Sequence, residues 1–291
     1  MGRLLIYALG GGRGHATRAG LVCQAFEAAG HQARALVREG AERWAGPGAV
    51  AIGRQGGDEL AATVRAAVVD YRPDALLVDV FPGGLLDELT PQDGKLFGVP
   101  AALMLRLHNE ADTEGFRALA RHYALRIDLE PALQWLPPDL DALPLGPVAR
   151  ALPVPAEAPR IVLVPAADAS LTEHLRSSID DLLVYEEPEL HWIAPHEAAD
   201  LALGPGDVVV GRAGYNLTWE IAGAGARHVA LPADRRWDDQ QRRAQAMATV
   251  VTRPSELVAA VGRALAAGER SPVDVSGASR IVAALGRALL G

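Results

Sequence analysis

Short apolar runs alternate with glycine breaks and amphipathic stretches along this 291-residue chain. Leu4 to Leu9 is nearly unbroken in apolar residues, the pattern of a strand buried on both faces, and Gly10, Gly11, Gly12 and Gly14 interrupt it. Ala19, Val22, Cys23 and Phe26 then recur at helical spacing up to a stop at Gly30. Gln32 to Val37 and Ala49 to Ile52 read as strands, and Asp58 to Tyr71 reads as a helix stopped by Pro73. Ala75 to Val80 is an apolar strand carrying Asp79, and Ala101 to Leu105 is another. From Leu136 to Pro159 proline is so dense that neither helix nor interior strand can form, which places a domain boundary there.

The alternation then resumes. Arg160 to Val164, Leu182 to Tyr185, His191 to Ile193, Asp207 to Val210 and His228 to Leu231 read as strands. Leu217, Ile221 and Ala224 mark a helix that starts near Tyr215 and Asn216 and stops at Gly225. Pro254 to Ala267 and Ser279 to Leu290 are amphipathic helices. Strands interleaved with helices predict parallel sheets, so the expected class is α/β with an N-terminal domain over 1–150 and a C-terminal one over 151–291.

Composition narrows the functional classes. Hydrophobic residues make up 49% and charged ones 22%, a globular balance. A net charge of -8 argues against a nucleic-acid partner. The one cysteine, Cys23, allows no intrachain disulfide and no thiolate cluster; it falls on the apolar stripe of the first helix and is expected as a core thiol in a reducing compartment. No apolar run reaches the ~20 residues of a spanning helix and no signal peptide is legible, so a cytoplasmic protein is expected.

Two stretches carry candidate chemistry. The first glycine loop is neither a Walker A loop, since no Gly-Lys-Ser/Thr follows, nor the dinucleotide fingerprint. It reads GxGHxxR, with Gly12, Gly14, His15 and Arg18. A histidine where the first strand feeds the first helix is placed to take a proton from an attacking hydroxyl, or it is a helix-terminus histidine without chemistry. Asp79, at the end of its strand, either orients His15 or caps a turn. Arg13 and Arg18 either neutralise a diphosphate or are solvated cations. Arg106, His108 and Asn109 follow a strand and are candidates for an acceptor pocket.

The second stretch runs from Asp207 to Gln241 as strand, glycine turn, helix and strand with a polar tail. A helix that opens on a glycine turn offers free N–H groups and its positive dipole end to a phosphate; a plain βαβ unit has the same outline. Its Arg212, Gly214, Thr218 and Glu220, followed by Gly225, Pro232, Asp239, Gln240 and Gln241, resemble the nucleotide-sugar signature of MurG-like, family 28 glycosyltransferases. The GxGHxxR loop also resembles that of PseG-type nucleotide-sugar hydrolases.

The resemblance implies a GT-B fold, two Rossmann-like parallel-sheet domains facing each other across a cleft, with the acceptor on the first and the donor on the second. It implies donor binding by Gly12, Gly14, Arg212, Gly214, Tyr215, Asn216, Thr218, Glu220, Asp239, Gln240 and Gln241, with the glutamate on the ribose and the glutamines near the sugar. The activity implied is metal-independent, inverting transfer from a nucleoside-diphosphate sugar, with UDP the expected nucleotide, to an acceptor hydroxyl. His15 is then the base and Asp79 its partner, no cofactor or metal is expected, and a lipid acceptor would add peripheral membrane contact. Hydrolysis, and binding of a nucleotide sugar without turnover, are the alternatives. The sequence departs from the family at Pro165 to Ser170, PAADAS, where a glycine-rich loop is usual. His196 and Glu197 fall on a turn that the same resemblance would put near the base.

Overall fold

The computed structural model of the chain describes residues 1–110, 113–155, 160–164, 189–192 and 201–290. These fall into two compact units, Met1–Ala149 with Ser276–Gly291, and Arg150–Val275. The expected strand at Leu182 to Tyr185, the PAADAS loop, and His196 with Glu197 lie outside the described residues.

In the first unit the elements are β1 (Arg3–Ala8), α1 (Arg13–Ala28), β2 (Gln32–Arg38), α2 (Glu42–Ala45), β3 (Ala49–Ile52), α3 (Gly57–Tyr71), β4 (Ala75–Asp79), β5 (Lys95–Leu96), β6 (Val99–Leu105), α4 (Glu114–Arg121), β7 (Leu125–Asp128) and β8 (Leu143–Pro144). The strands lie in the order β3-β2-β1-β4-β6-β7-β8, all parallel, with the short β5 antiparallel to β6. Because the order turns back between β1 and β4, this unit has a topological switch point there, the place where open α/β sheets bind ligands beyond their carboxyl edge. Leu4, Ile6, Leu36, Val37, Leu77 and Leu103 are buried to 0% exposure, as strands covered on both faces require. The proline-rich segment does contribute to this sheet, but only as β8 at its edge, where a missing N–H costs no interior ladder bond.

The second unit contains β9 (Arg160–Leu163), β10 (Glu189–Trp192), β11 (Val208–Gly211), α5 (Tyr215–Ala224), β12 (Arg227–Ala230), α6 (Gln240–Met247), β13 (Thr249–Val250) and α7 (Leu257–Ala266). Its sheet, β10-β9-β11-β12-β13, is wholly parallel. α7 lays Leu257, Ala260, Val261 and Ala264 on Val208, Val210 and Val229, and Ile221 and Ala224 of α5 cover Val162 and Val209 in a second cluster. Asp207, fully buried, ties the starts of β9 and β11: it accepts from the Arg160 backbone at 3.0 Å, from Arg160 Nη2 at 2.9 Å and from Gly204 N at 2.9 Å. The polar tail after β12 is in part helical: Asp239 caps α6 by accepting from Arg242 N at 2.9 Å.

The last helix, α8 (Gly277–Leu289), belongs to the first unit, so the second ends at Val275 and not at 291. Its buried stripe of Ile281, Ala284 and Leu285 packs on that unit, against α1. At its start, Gly277 lies so close to the chain that a Cβ would stand 2.5 Å from the Pro147 carbonyl oxygen.

His228 on β12 gives the second unit a pH dependence. Burial holds its pKa down to about 4, outweighing the Gly211 carbonyl, which favours the proton. An unfolded imidazole titrates near 6.5, so between that pH and about 4 the unfolded chain holds the extra proton and stability falls as pH falls. Over that window the parent should lose about 3 kcal/mol more than His228→Leu. Urea melts of both proteins at pH 7 and pH 4 would show it, and identical losses would sink the assignment.

Candidate active site

His15 occupies the first turn of α1 because β1 ends at Ala8 and the glycine loop turns the chain straight into the helix. The N-cap, Gly12, is extended and offers no capping side chain. Gly10 is required for a local reason: a Cβ there would stand 2.2 Å from His15 Cδ2, so the imidazole can lie over this backbone only if no side chain is present. Asp79 is the last residue of β4, the neighbour of β1 across the switch point. His15 Nδ1 lies 2.7 Å from Asp79 Oδ2. Arg18, one turn further along α1, donates Nε to Oδ1 at 3.0 Å and Nη2 to Oδ2 at 2.8 Å. All three are buried, at 7%, 0% and 1% exposure for His15, Asp79 and Arg18. Arg18 is therefore not a solvated cation. It is the counter-charge of the carboxylate. Arg13 stays near the surface with its guanidinium 5.1 Å from the centre of the Trp44 ring.

Burial alone would raise the Asp79 carboxyl, but the charges of Arg18 and His15 and their hydrogen bonds take it well below the ordinary carboxylate range. Burial also lowers the His15 pKa, and Arg18 and Arg106 add to the lowering against the opposing pull of Asp79. The imidazole is thus neutral at pH 7 beside an ionised carboxylate. An ionised carboxylate only accepts, so Nδ1 carries the hydrogen and the lone pair of Nε2 is left to take a proton.

A loop that the apolar pattern does not single out completes the setting. Val80, directly after Asp79, has φ 70, a strained conformation for a β-branched residue, and the turn brings Phe81 onto His15, with ring centroids 5.4 Å apart and planes at 28°. Phe81 meets His108 edge-on at 5.8 Å, and His108 lies 5.1 Å from Phe116. Tyr7 and Glu88 hydrogen-bond to each other beneath the loop, and the N–H groups of Leu85 and Leu86 donate to Tyr7 Oη at 3.0 Å and to Glu88 Oε2 at 2.7 Å. Of the acceptor candidates, Arg106 and His108 are buried beside this aromatic row and Asn109 is exposed in the turn after it. His108 Nδ1 accepts from Glu110 N at 3.1 Å.

In the second unit β11 ends at Gly211, where a Cβ would stand 2.9 Å from Leu217 Cδ2. α5 begins after Gly214, which is extended and offers no capping side chain. Gly214 and Gln240 adjoin: a Cβ on Gly214 would lie 3.8 Å from Gln240 Nε2. Gln240 is itself held, accepting from Ala233 N at 3.0 Å and donating to Asp238 at 3.3 Å. Buried Arg243 donates to the Ala213 carbonyl at 3.1 Å and to Asp238 at 2.7 Å, with Tyr215 5.8 Å from its guanidinium. Thr218 is buried, and its hydroxyl has no hydrogen-bond partner among the described residues. Asn216 is half-buried in the first turn and Gln241 is exposed on α6.

Three expected donor residues are engaged within the protein. Arg212 donates to the Leu231 and Pro232 carbonyls at 3.0 and 3.4 Å, which ties it to the exit of β12. Asp239 serves as the α6 cap. Glu220 has both oxygens on Arg150, at 2.6 and 3.0 Å. Phe81 and Arg150 are residues that sequence reasoning passed over, and Gly10 was read only as part of the glycine run. For Gly10 the signal was present, as the first glycine of a run ahead of a histidine.

Among the described residues no three His, Cys, Asp or Glu side chains converge as a metal site, and no helix is long and apolar enough to cross a membrane. No protein-family model matches the chain, and no curated protein matches it. Solved structures do. The glycotransferase of kitacinnamycin is 18% identical with TM-score 0.63, over 99% of each chain. The spinosyn rhamnosyltransferase SpnG, complexed with thymidine diphosphate, is 16% identical with TM-score 0.56, over 100% of each. The UDP-GlcNAc 2-epimerase of Methanocaldococcus jannaschii, complexed with UDP-GlcNAc and UDP, is 13% identical with TM-score 0.60, over 98% of this chain and 99% of that one. With its two parallel-sheet units, the chain has the GT-B fold.

Proposed function

We propose that this protein is a metal-independent, inverting glycosyltransferase of the MurG-like kind, working in the cytoplasm on a nucleoside-diphosphate sugar. The observation that carries the reading is the buried His15–Asp79 pair at 2.7 Å, set at the switch point of a GT-B first unit. In the reaction His15 Nε2 takes the acceptor hydroxyl's proton as that oxygen attacks the anomeric carbon. The bond from that carbon to the phosphate oxygen breaks, and the nucleoside diphosphate leaves with the electron pair. Asp79 orients the ring and stabilises the imidazolium that forms, as the acid partner does for other histidine bases.

The donor-binding groups come from the second unit. The N-terminus of α5 at Gly214, with its positive dipole end, suits the diphosphate, supported by the buried hydroxyl of Thr218. Glu220 is assigned to the ribose and Gln240 to the sugar. UDP is the first nucleotide to test, with dTDP and GDP beside it. Hydrolysis, with water in place of the acceptor, remains the second reading because the GxGHxxR loop places the same base; free sugar released without an acceptor identifies it.

The test is thermal stabilisation by UDP, dTDP and GDP, since a ligand that binds only the folded state raises its stability by mass action. One nucleotide should raise the melting temperature clearly at millimolar concentration. Glu220→Ala should weaken its binding by at least about tenfold, the scale of a charge-assisted hydrogen bond. If no nucleotide shifts the melt, the donor site is misread and transfer and hydrolysis fall together.

A further inference from the structure

Glu220 meets Arg150 in a two-point, edge-on pairing, Nε to Oε1 at 2.6 Å and Nη2 to Oε2 at 3.0 Å. The glutamate side chain is 5% exposed and that of the arginine 22%. Such a pairing uses one acceptor position on each oxygen and fixes the plane of the carboxylate; each oxygen keeps a second acceptor position. Those two positions diverge, so a hydroxyl can donate to one of them without displacing the guanidinium.

Resting on the nucleotide-sugar reading above, we propose that Arg150 is a positioning residue of the donor site, which neutralises Glu220 and fixes its plane so that an outer acceptor position of the carboxylate is left for a ribose hydroxyl of a nucleoside diphosphate. The electrostatics agree. Burial pushes the Glu220 carboxyl up, and Arg150, by its hydrogen bonds and charge, is what opposes that. Arg150 is the one charged group acting on Glu220 among the described residues. Without the guanidinium the buried carboxyl takes up a proton at higher pH and gives up an acceptor position.

The experiment is calorimetric titration of UDP, or of whichever nucleotide shifts the melt, into the parent, Arg150→Met, Arg150→Lys and Glu220→Ala at pH 6 and pH 8. The ratio of each variant's Kd to the parent's at the same pH cancels titration of the nucleotide itself. For Arg150→Met that ratio should be larger at pH 6 than at pH 8 by about tenfold, the effect of moving one titration by about one pH unit. Arg150→Lys, which keeps the charge, should restore most of the loss. A purely structural ion pair would lower the melting temperature and leave the ratio independent of pH. If Glu220→Ala loses binding while Arg150→Met binds as the parent does, or more tightly, this assignment is overturned and the ribose site stands. If Glu220→Ala binds as the parent does, or no nucleotide binds, the donor reading fails and takes the assignment with it.

Discussion

Replacing His15 by alanine should lower kcat by about a thousandfold, within the range that a positioned general base contributes, while leaving the nucleotide-induced rise in melting temperature intact. The separation follows from where the groups sit. His15 belongs to the first unit, whereas Thr218 and Glu220, assigned to the diphosphate and the ribose, belong to the second. The pH profile of the parent supplies an independent readout. A base works only when neutral, and burial with Arg18 and Arg106 brings the His15 pKa below its usual value despite Asp79. The acid limb of kcat/KM should therefore lie below pH 6.5, with a plateau through neutrality, and it should be absent from the residual activity of His15→Ala. Full turnover by His15→Ala, with acceptor and donor both saturating, would remove the histidine from the mechanism.

Much of this site could be read in advance, and the parts that could not share a physical cause. Apolar runs closed by glycine announce buried parallel strands, so β1, β4, β6, β9, β11 and β12 were legible, and with them the positions of His15 and Asp79 at strand ends. By contrast β7 was not legible, because LRID mixes charge and apolar residues over four positions and is fixed by its pairing with β6. Spacing along one strand or helix does not tell whether two side chains from different elements touch. The His15–Asp79 contact, across 64 positions, was open for that reason, and so was the pairing of Arg150 with Glu220 across 70. Arg18 and Arg212 make the same point: each stands in a glycine-rich stretch, and its hydrogen bonds to Asp79 and to the Leu231 carbonyl join elements that spacing does not bring together. The last helix read correctly as amphipathic, but its stripe does not say which sheet it will cover.

Arg18→Met should be the most destabilising of the substitutions considered, at about 3 to 5 kcal/mol, the usual cost of leaving a buried charge without its partner. That corresponds to a fall of roughly 10 °C in the melting temperature for a unit of this size. Asp79 is fully buried, and among the described residues Arg18 supplies two of its three side-chain hydrogen bonds, the third being with His15. In the parent the depressed carboxyl contributes stability that is fully present above its unfolded pKa near 3.9 and is lost as pH falls toward the lower folded value. Without Arg18, burial regains the upper hand over the carboxyl. The double variant Arg18→Met, Asp79→Leu tests the cause: removing the stranded carboxylate should recover part of the stability and none of the activity. A double variant less stable than Arg18→Met would mean that lost packing around the guanidinium, and not the unpaired charge, dominates the effect.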